Sequence, residues 1–218
     1  AAFDLNAACS GFIYALSTAD SFFQSGMYKN ALLVGVETLS RIVDWSDRSV
    51  CVLLADGAGA AVVEAADTGL MACSLGSDGN KSSALIVKNR ENHNPFVPEE
   101  KPMDFLYMNG PEVFKFAVRK VPELTEELLE KSGLKIADID FFILHQANER
   151  IVKAAAKKLK VDMSRFPINM ENYANTSAAS IPILLDELVQ TGRLRKGQKI
   201  LLAGFGAGLT WAGSILEW

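Results

Sequence analysis

The chain repeats itself. Cys9 to Gly26 and Asn175 to Gly192 each cover a step of 17 positions and share one grammar: a strand exit, a turn of small residues, a helix and a stop glycine. Ala31-Leu32-Leu33-Val34-Gly35 follows the first segment and Ile200-Leu201-Leu202-Ala203-Gly204 the second. Gly57-Ala58-Gly59 and Gly206-Ala207-Gly208 then each open a last strand. Three matched features in one order favour a duplicated fold over coincidence. The match sets Asn175 where Cys9 stands, and a pseudo-twofold would bring both helix starts to the centre of the molecule. The predicted halves are 1–68 and 69–218. If they are of comparable size, roughly 80 or more residues are expected in front of Ala1.

Strands and helices alternate along the chain, which predicts an α/β class. Phe3 to Asn6 reads as a strand end, and strands are expected at 31–36, 60–64, 70–77, 84–87, 141–144, 199–203 and 210–216. Helices are expected over 9–26, 111–131, 148–160 and 177–191, with Pro122 breaking or kinking the second. The stretch 78–102 is rich in Asn, Ser, Lys and Pro and reads as irregular.

Composition removes several functions. Twenty-six acidic against 22 basic residues give a net charge of −4, which disfavours a general nucleic-acid binder. Three cysteines are too few and too odd in number for a disulfide framework, so a reducing, cytoplasmic setting is expected. The longest apolar runs are strand-sized, far short of the ~20 residues of a membrane helix. The opening Ala1-Ala2-Phe3-Asp4 has no basic region of the kind a signal peptide carries and reads as a cut start. No metal-ligand cluster, Walker loop or Gly-x-Ser-x-Gly elbow occurs in the sequence, so no metal or cofactor is expected.

The chemistry-bearing residues are few. Cys9 stands between a strand exit and a helix start, where unpaired N–H groups and the positive end of the helix dipole favour a thiolate. Its alternative fate is a buried structural cysteine, the reading given to Cys51 and Cys73. His145 directly follows the apolar strand Phe141-Phe142-Ile143-Leu144, at the carboxyl end where α/β proteins build sites. His93 sits in a polar loop and reads as solvated. Asn175 is either a helix N-cap or, by the duplication, a partner of Cys9 at the centre. Gly204-Phe205-Gly206-Ala207-Gly208 lacks the third glycine and the following βαβ unit of a dinucleotide site. A backbone N–H aimed at an oxyanion suits that loop better. Arg150, Lys153 and Lys157, with Lys158 and Lys160 beside them, make a basic stripe on an acidic protein.

At Ala8-Cys9-Ser10-Gly11-Phe12, His145-Gln146-Ala147-Asn148, Asn175-Thr176-Ser177-Ala178-Ala179-Ser180 and Gly206-Ala207-Gly208-Leu209-Thr210-Trp211 the chain resembles the β-ketoacyl-[acyl carrier protein] synthase III family. The resemblance runs its whole length. It implies a thiolase-like duplicated fold of α-β-α-β-α layers, a homodimer, and longer chains at the N-terminus. It implies an acyltransferase that condenses a primer acyl-CoA with malonyl-[acyl carrier protein] to start type II fatty acid synthesis, taking coenzyme A thioesters as substrates. By position, Cys9 matches the nucleophile, and His145 and Asn175 the pair that decarboxylates the malonyl group. The backbone N–H groups of Cys9 and Ala207 match the oxyanion hole. Arg48 and Asn148 match coenzyme A contacts, and Lys115, Arg150, Lys157 and Lys158 match positions that dock the acidic carrier protein. One departure is Ala174 before Asn175, where a glycine is more usual. Two other outcomes fit the same motifs: a relative making polyketide or quinolone-type products, and a non-catalytic fragment that binds carrier protein. A general-base role of His145 on Cys9 also stays open.

Overall fold

A computed structural model describes residues 1–88, 96 and 104–218. Phe3 to Asn6 makes no strand. A 3-10 turn at Ala8–Ser10 leads into helix α1 (Gly11–Gln24), strand β1 (Asn30–Glu37) and strand β2 (Gly57–Glu64). Next come β3 (Leu70–Ser77), the short pair β4 (Leu85–Ile86) and β5 (Tyr107–Met108), helix α2 (Gly110–Ser132), β6 (Phe141–Leu144) and helix α3 (Glu149–Leu159). A one-turn helix α4 (Met170–Tyr173) precedes a second 3-10 turn at Ser177–Ala179 and helix α5 (Ser180–Gln190). Strands β7 (Lys199–Gly206) and β8 (Thr210–Glu217) follow. Most of the expected 78–102 loop, and with it His93, lies outside the described residues.

β1 and β2 pair antiparallel. The larger sheet has the order β3-β8-β7-β6, with β6 and β7 parallel and the other pairs antiparallel. α1 and α5 pack between the two sheets, where Phe12, Ile13, Ile181 and Leu184 meet Ile143, Ile200 and Leu202. α2 and α3 cover the far face of the larger sheet through Phe116, Leu124, Leu128, Ile151 and Val152. The layers of this chain thus run sheet, helices, sheet, helices. The outer face of β1–β2 is open, with Val62 at 79% exposure.

Of the expected kink or break at Pro122, the break does not occur: α2 runs 23 residues through it. Losing one helical hydrogen bond costs ~3 kcal/mol. Burial of Phe116, Val121, Leu124 and Leu128 contributes ~1.5–3 kcal/mol each, so packing wins. Asn109 caps the helix by accepting the Glu112 N–H, and Gly133 ends it at φ 69°.

The duplication is present, in a different register. The two 3-10 turns, the two helix starts, and strands β1 and β7 are all related by a constant step of 169 residues. The structural mate of Cys9 is therefore Ala178, and the mate of Asn175 is Asn6. Pairing the stop glycines misplaced the helix starts because α1 has 14 residues and α5 only 11. The mates Gly35 and Gly204 serve one purpose. A Cβ on Gly35 would come within 2.7 Å of the Ala178 carbonyl, and one on Gly204 within 3.1 Å of Ser10 Cα. Each glycine lets the helix start of the other half lie on its strand.

Candidate active site

The Cys9 turn is built from backbone outward. Asn6 Oδ1 accepts the Ala8 N–H at 3.0 Å, Ala8 takes φ 49°, and the 3-10 turn then delivers Cys9 to the head of α1. Thr210 Oγ1 donates to the Ala7 carbonyl at 2.9 Å and lies 3.2 Å from Ser10 Oγ, which clamps the turn to the start of β8. Gly206 lies against it so closely that a Cβ there would sit 2.7 Å from the Cys9 nitrogen.

Asn175 is held by its main chain and by one end of its amide. Its N–H donates to the Leu53 carbonyl at 2.9 Å and its carbonyl accepts the Ala55 N–H at 3.0 Å. Its Oδ1 accepts the Ser177 N–H at 2.9 Å, so the carboxamide's NH₂ is the end left for a substrate. Ser177 takes φ 51°, the mate of Ala8 in conformation as in position. Ala174, just before, adopts φ 54° and ψ −155°, a region that suits glycine. The departure noted in the sequence is thus a strained residue one place from Asn175.

His145 leaves the end of β6, its N–H donating to the Ala203 carbonyl of β7 at 2.8 Å. It is 1% exposed, and its Nδ1 lies 2.7 Å from Ser180 Oγ. Burial pushes its pKa down to about 3, so the ring is neutral. The following Gln146 donates through Nε2 to the Leu144 carbonyl and accepts the Asn169 N–H through Oε1, tying β6 to the chain that leads to Asn175.

Cys9 is half-buried, and its thiol does not follow the expectation of a thiolate at a helix start. Burial pushes the thiol up to about 11; a hydrogen bond with Ser177 and its own backbone N–H pull it down, and the Glu37 carboxylate pushes it further up. Desolvation outweighs the dipole of the helix start here.

The structure brings Cys9, Asn175 and Ala207 to the wall of one cavity, with Ser177 and Glu37. His145 is not on that wall; it joins the group through Ser180, five positions after Asn175. Ala207 keeps an ordinary φ, as an N–H donor in the loop requires. Arg48 lies apart, exposed in a turn after Asp47. Asn148 is the N-cap of α3, its Oδ1 accepting the Arg150 N–H at 2.9 Å. Lys115 on α2 and Arg150, Lys157 and Lys158 on α3 are exposed on neighbouring helices. Lys153 of the stripe is instead tied to Glu149 at 2.7 Å. Sequence reasoning gave no role to Glu37 or Ser180. The strand match does set Glu37 opposite Gly206, and that was the available signal. Among the described residues no group of three metal-ligating side chains occurs, and no helix is long and apolar enough to cross a membrane.

Two family models cover most of the chain. The model of 3-oxoacyl-[acyl-carrier-protein (ACP)] synthase III matches residues 3–79, and the model of its C-terminal part matches 129–218. The β-ketoacyl-[acyl-carrier-protein] synthase III of Clostridium acetobutylicum is 49% identical over all of this chain and 68% of its own length. That of Streptococcus pneumoniae is 49% identical over 99% of this chain and 67% of its own length. Among solved structures, the synthase III of Thermus thermophilus superposes with a TM-score of 0.90 at 46% identity, over 99% of this chain and 67% of that one. The enzyme of Aquifex aeolicus gives 0.91 at 43%, over the same shares. With the thiolase-like fold and identity approaching half over its full length, the chain belongs to the 3-oxoacyl-[acyl-carrier-protein] synthase III family, the condensing acyltransferases of fatty acid synthesis.

Proposed function

We propose that the protein transfers a primer acyl group from coenzyme A to Cys9 and condenses it with malonyl-[acyl carrier protein]. In the first half-reaction the Cys9 sulfur attacks the primer thioester carbonyl, the carbonyl–sulfur bond breaks, and coenzyme A leaves as its thiol, carrying the proton that the Cys9 thiol gives up. The backbone N–H groups of Cys9 and Ala207 hold the tetrahedral oxyanion. In the second, the bond to the malonyl carboxylate breaks, carbon dioxide leaves, and the electron pair moves into an enolate. His145 and Asn175, two neutral N–H donors, stabilise the enolate oxygen. The enolate carbon attacks the acyl-cysteine carbonyl, and the Cys9 sulfur leaves as β-ketoacyl product forms.

The observation that carries this division of labour is the pattern of partners. The His145 ring bonds Ser180, and no hydrogen bond joins it to Cys9 among the described residues. A neutral, buried imidazole with a pKa of about 3 is a weak base and a serviceable donor. Lys115, Arg150, Lys157 and Lys158 form the docking patch for the acidic carrier protein, and Arg48 and Asn148 contact coenzyme A. The halves 1–68 and 69–218 carry the nucleophile and the donor pair respectively, and the working protein is a homodimer.

Acyl transfer from labelled acyl-CoA, measured without a malonyl substrate, tests the division. His145→Ala and Asn175→Ala should keep Cys9 labelling while condensation falls ~10²–10³-fold in each. The double variant should lose less than the product of the two, because both donors serve one oxygen. Loss of labelling in Asn175→Ala with the fold intact would sink the division. Loss in His145→Ala alone would make His145 the base that activates Cys9.

A second reading has one observation in its favour. The priming β-ketosynthase of the R1128 polyketide pathway superposes with a TM-score of 0.89 at 37% identity, over 99% of this chain and 65% of that one. A polyketide starter role keeps the same residues and chemistry, and a panel of labelled acyl-CoA primers separates the two.

A further inference from the structure

We propose that Thr210, backed by Ser10, is a positioning residue for acyl transfer. Its hydroxyl ties the turn that presents the Cys9 N–H to the loop that presents the Ala207 N–H, and so sets the spacing of the two oxyanion donors. This rests on the donor roles proposed above for those two N–H groups.

The two donors come from distant parts of the chain. Cys9 lies in the 3-10 turn before α1, and Ala207 lies between β7 and β8. Thr210 is the first residue of β8, three after Ala207. Its Oγ1 lies 2.9 Å from the Ala7 carbonyl oxygen and 3.2 Å from Ser10 Oγ. A carbonyl can only accept, so the single Thr210 hydrogen goes to Ala7. Ser10 is fully buried, and its hydroxyl has no other side-chain partner among the described residues. It therefore supplies the hydrogen between the two hydroxyl oxygens, which strengthens Thr210's own donation. The contacts bracket Cys9, with Ala7 two residues before it and Ser10 one after. Neither Thr210 nor Ser10 lies on the cavity wall, so both act through the turn rather than on a substrate.

The duplication supplies an internal control. Gly206 pairs with Thr210, and Glu37, the mate of Gly206, pairs with Gly57, so Gly57 is the mate of Thr210. The mates of Ala7 and Ser10 are Thr176 and Ala179. Both hydroxyls of the clamp are thus missing at the other helix start. A Cβ on Gly57 would come within 2.8 Å of the Thr176 methyl, and the buried Thr176 hydroxyl has no hydrogen-bond partner among the described residues. The same backbone turn forms there without a hydroxyl bond to the strand. The clamp is not what the turn needs in order to form, and it is present where the thiol is.

Two reactions of Cys9 separate the roles a clamp could have. Acyl transfer builds an oxyanion on the thioester carbonyl. Iodoacetamide forms a sulfur–carbon bond and expels iodide, the thiol proton passes to buffer, and no oxyanion forms at the reacting carbon. Mass spectrometry of the Cys9 peptide counts both adducts apart from Cys51 and Cys73. Thr210→Val removes the hydroxyl at nearly constant shape. It should slow acylation by acyl-CoA ~10–100-fold, since misplacement near 1 Å costs about 10²-fold. The KM for acyl-CoA and the alkylation rate should stay unchanged, and Thr210→Ser, which keeps the hydroxyl, should restore acylation. Acylation and alkylation falling together would overturn the proposal, because the thiol and not the donors would have moved. So would an unchanged acylation rate, or Thr210→Ser acylating as slowly as Thr210→Val. If Thr210→Val does not fold, Ser10→Ala decides. It should show the same split at ~3–10-fold, about the worth of one neutral hydrogen bond, and its absence overturns the proposal. A lack of Cys9 labelling in the unsubstituted protein is a distinct result: it overturns the acyl-transfer reading itself, and the role of Thr210 with it.

Discussion

The two helix starts use one backbone device for opposite ends. At both, an asparagine side chain accepts the N–H two residues on, that same residue turns left-handed, and a 3-10 turn opens the helix. Asn6 and Asn175 are mates, as are Ala8 and Ser177. The difference lies one residue later and across the sheet. Cys9 faces Gly206, and among the described residues no side chain from across the sheet takes its N–H. Ala178, its mate, faces Glu37, whose carboxylate accepts the Ala178 N–H at 3.4 Å. One start presents a thiol beside an open backbone; the other is closed by an acid and has no thiol. Its asparagine is kept. In the proposed reaction the duplicated scaffold then yields a nucleophile and a donor that differ by side chains rather than by backbone.

The largest effect should come from closing the open start. Gly206→Ala would set a methyl 2.7 Å from the Cys9 nitrogen and 3.0 Å from its Cβ. The Cys9 turn must shift to relieve it, and misplacement near 1 Å costs ~10²-fold in rate. Acylation of Cys9 should fall at least that far, measured by label transfer. Near-normal acylation would mean the Cys9 N–H is not the oxyanion donor.

The comparison also shows what was legible. Strand 141–144 fell where its apolar run ends, because an aromatic and β-branched run bounded by turns leaves little freedom. The repeat was legible too, but its register at the helix starts was not. The strand motifs at 31–35 and 200–204 already carried the 169-residue step, while the stop glycines carried 166. A helix can change length by about one turn and compensate in the following loop, so strands are the safer anchor. What sequence could not supply were partners across the sheet. Burial of the Cys9 thiol depends on Gly206 and Ser177, far away in the chain. The one side-chain hydrogen-bond partner of the buried His145 ring among the described residues is a serine 35 residues on.

A smaller effect should come from the asymmetry in strain. Ala174 sits at φ 54° and ψ −155°, while its mate Leu5 has no positive φ. Ala174→Gly should raise unfolding stability by ~1 kcal/mol or more, since the strain relieved exceeds the added chain entropy. Denaturant unfolding measures it. A loss of stability would mean the loop before Asn175 gains more from alanine's stiffness than it loses in strain.

The smallest effect tests whether the closed start speaks to the open one. Glu37→Gln keeps an oxygen for the Ala178 N–H and removes only the charge. That charge pushes the Cys9 thiol up, after the larger contribution of burial, so the substitution should lower the thiol's pKa from about 11. The sign follows directly. At a pH below the pKa, the thiolate fraction rises tenfold for each unit by which the pKa falls. Nucleophilicity falls with basicity and takes back about half of that gain on a logarithmic scale. Acylation of Cys9 at pH 8 should therefore rise by less than about tenfold, and its pH profile should climb earlier in Glu37→Gln than in the parent protein. Both profiles should still be rising above pH 9, because burial remains the dominant cause. An unchanged profile would mean the Glu37 charge does not reach the thiol, and the two helix starts would then be alike in backbone alone.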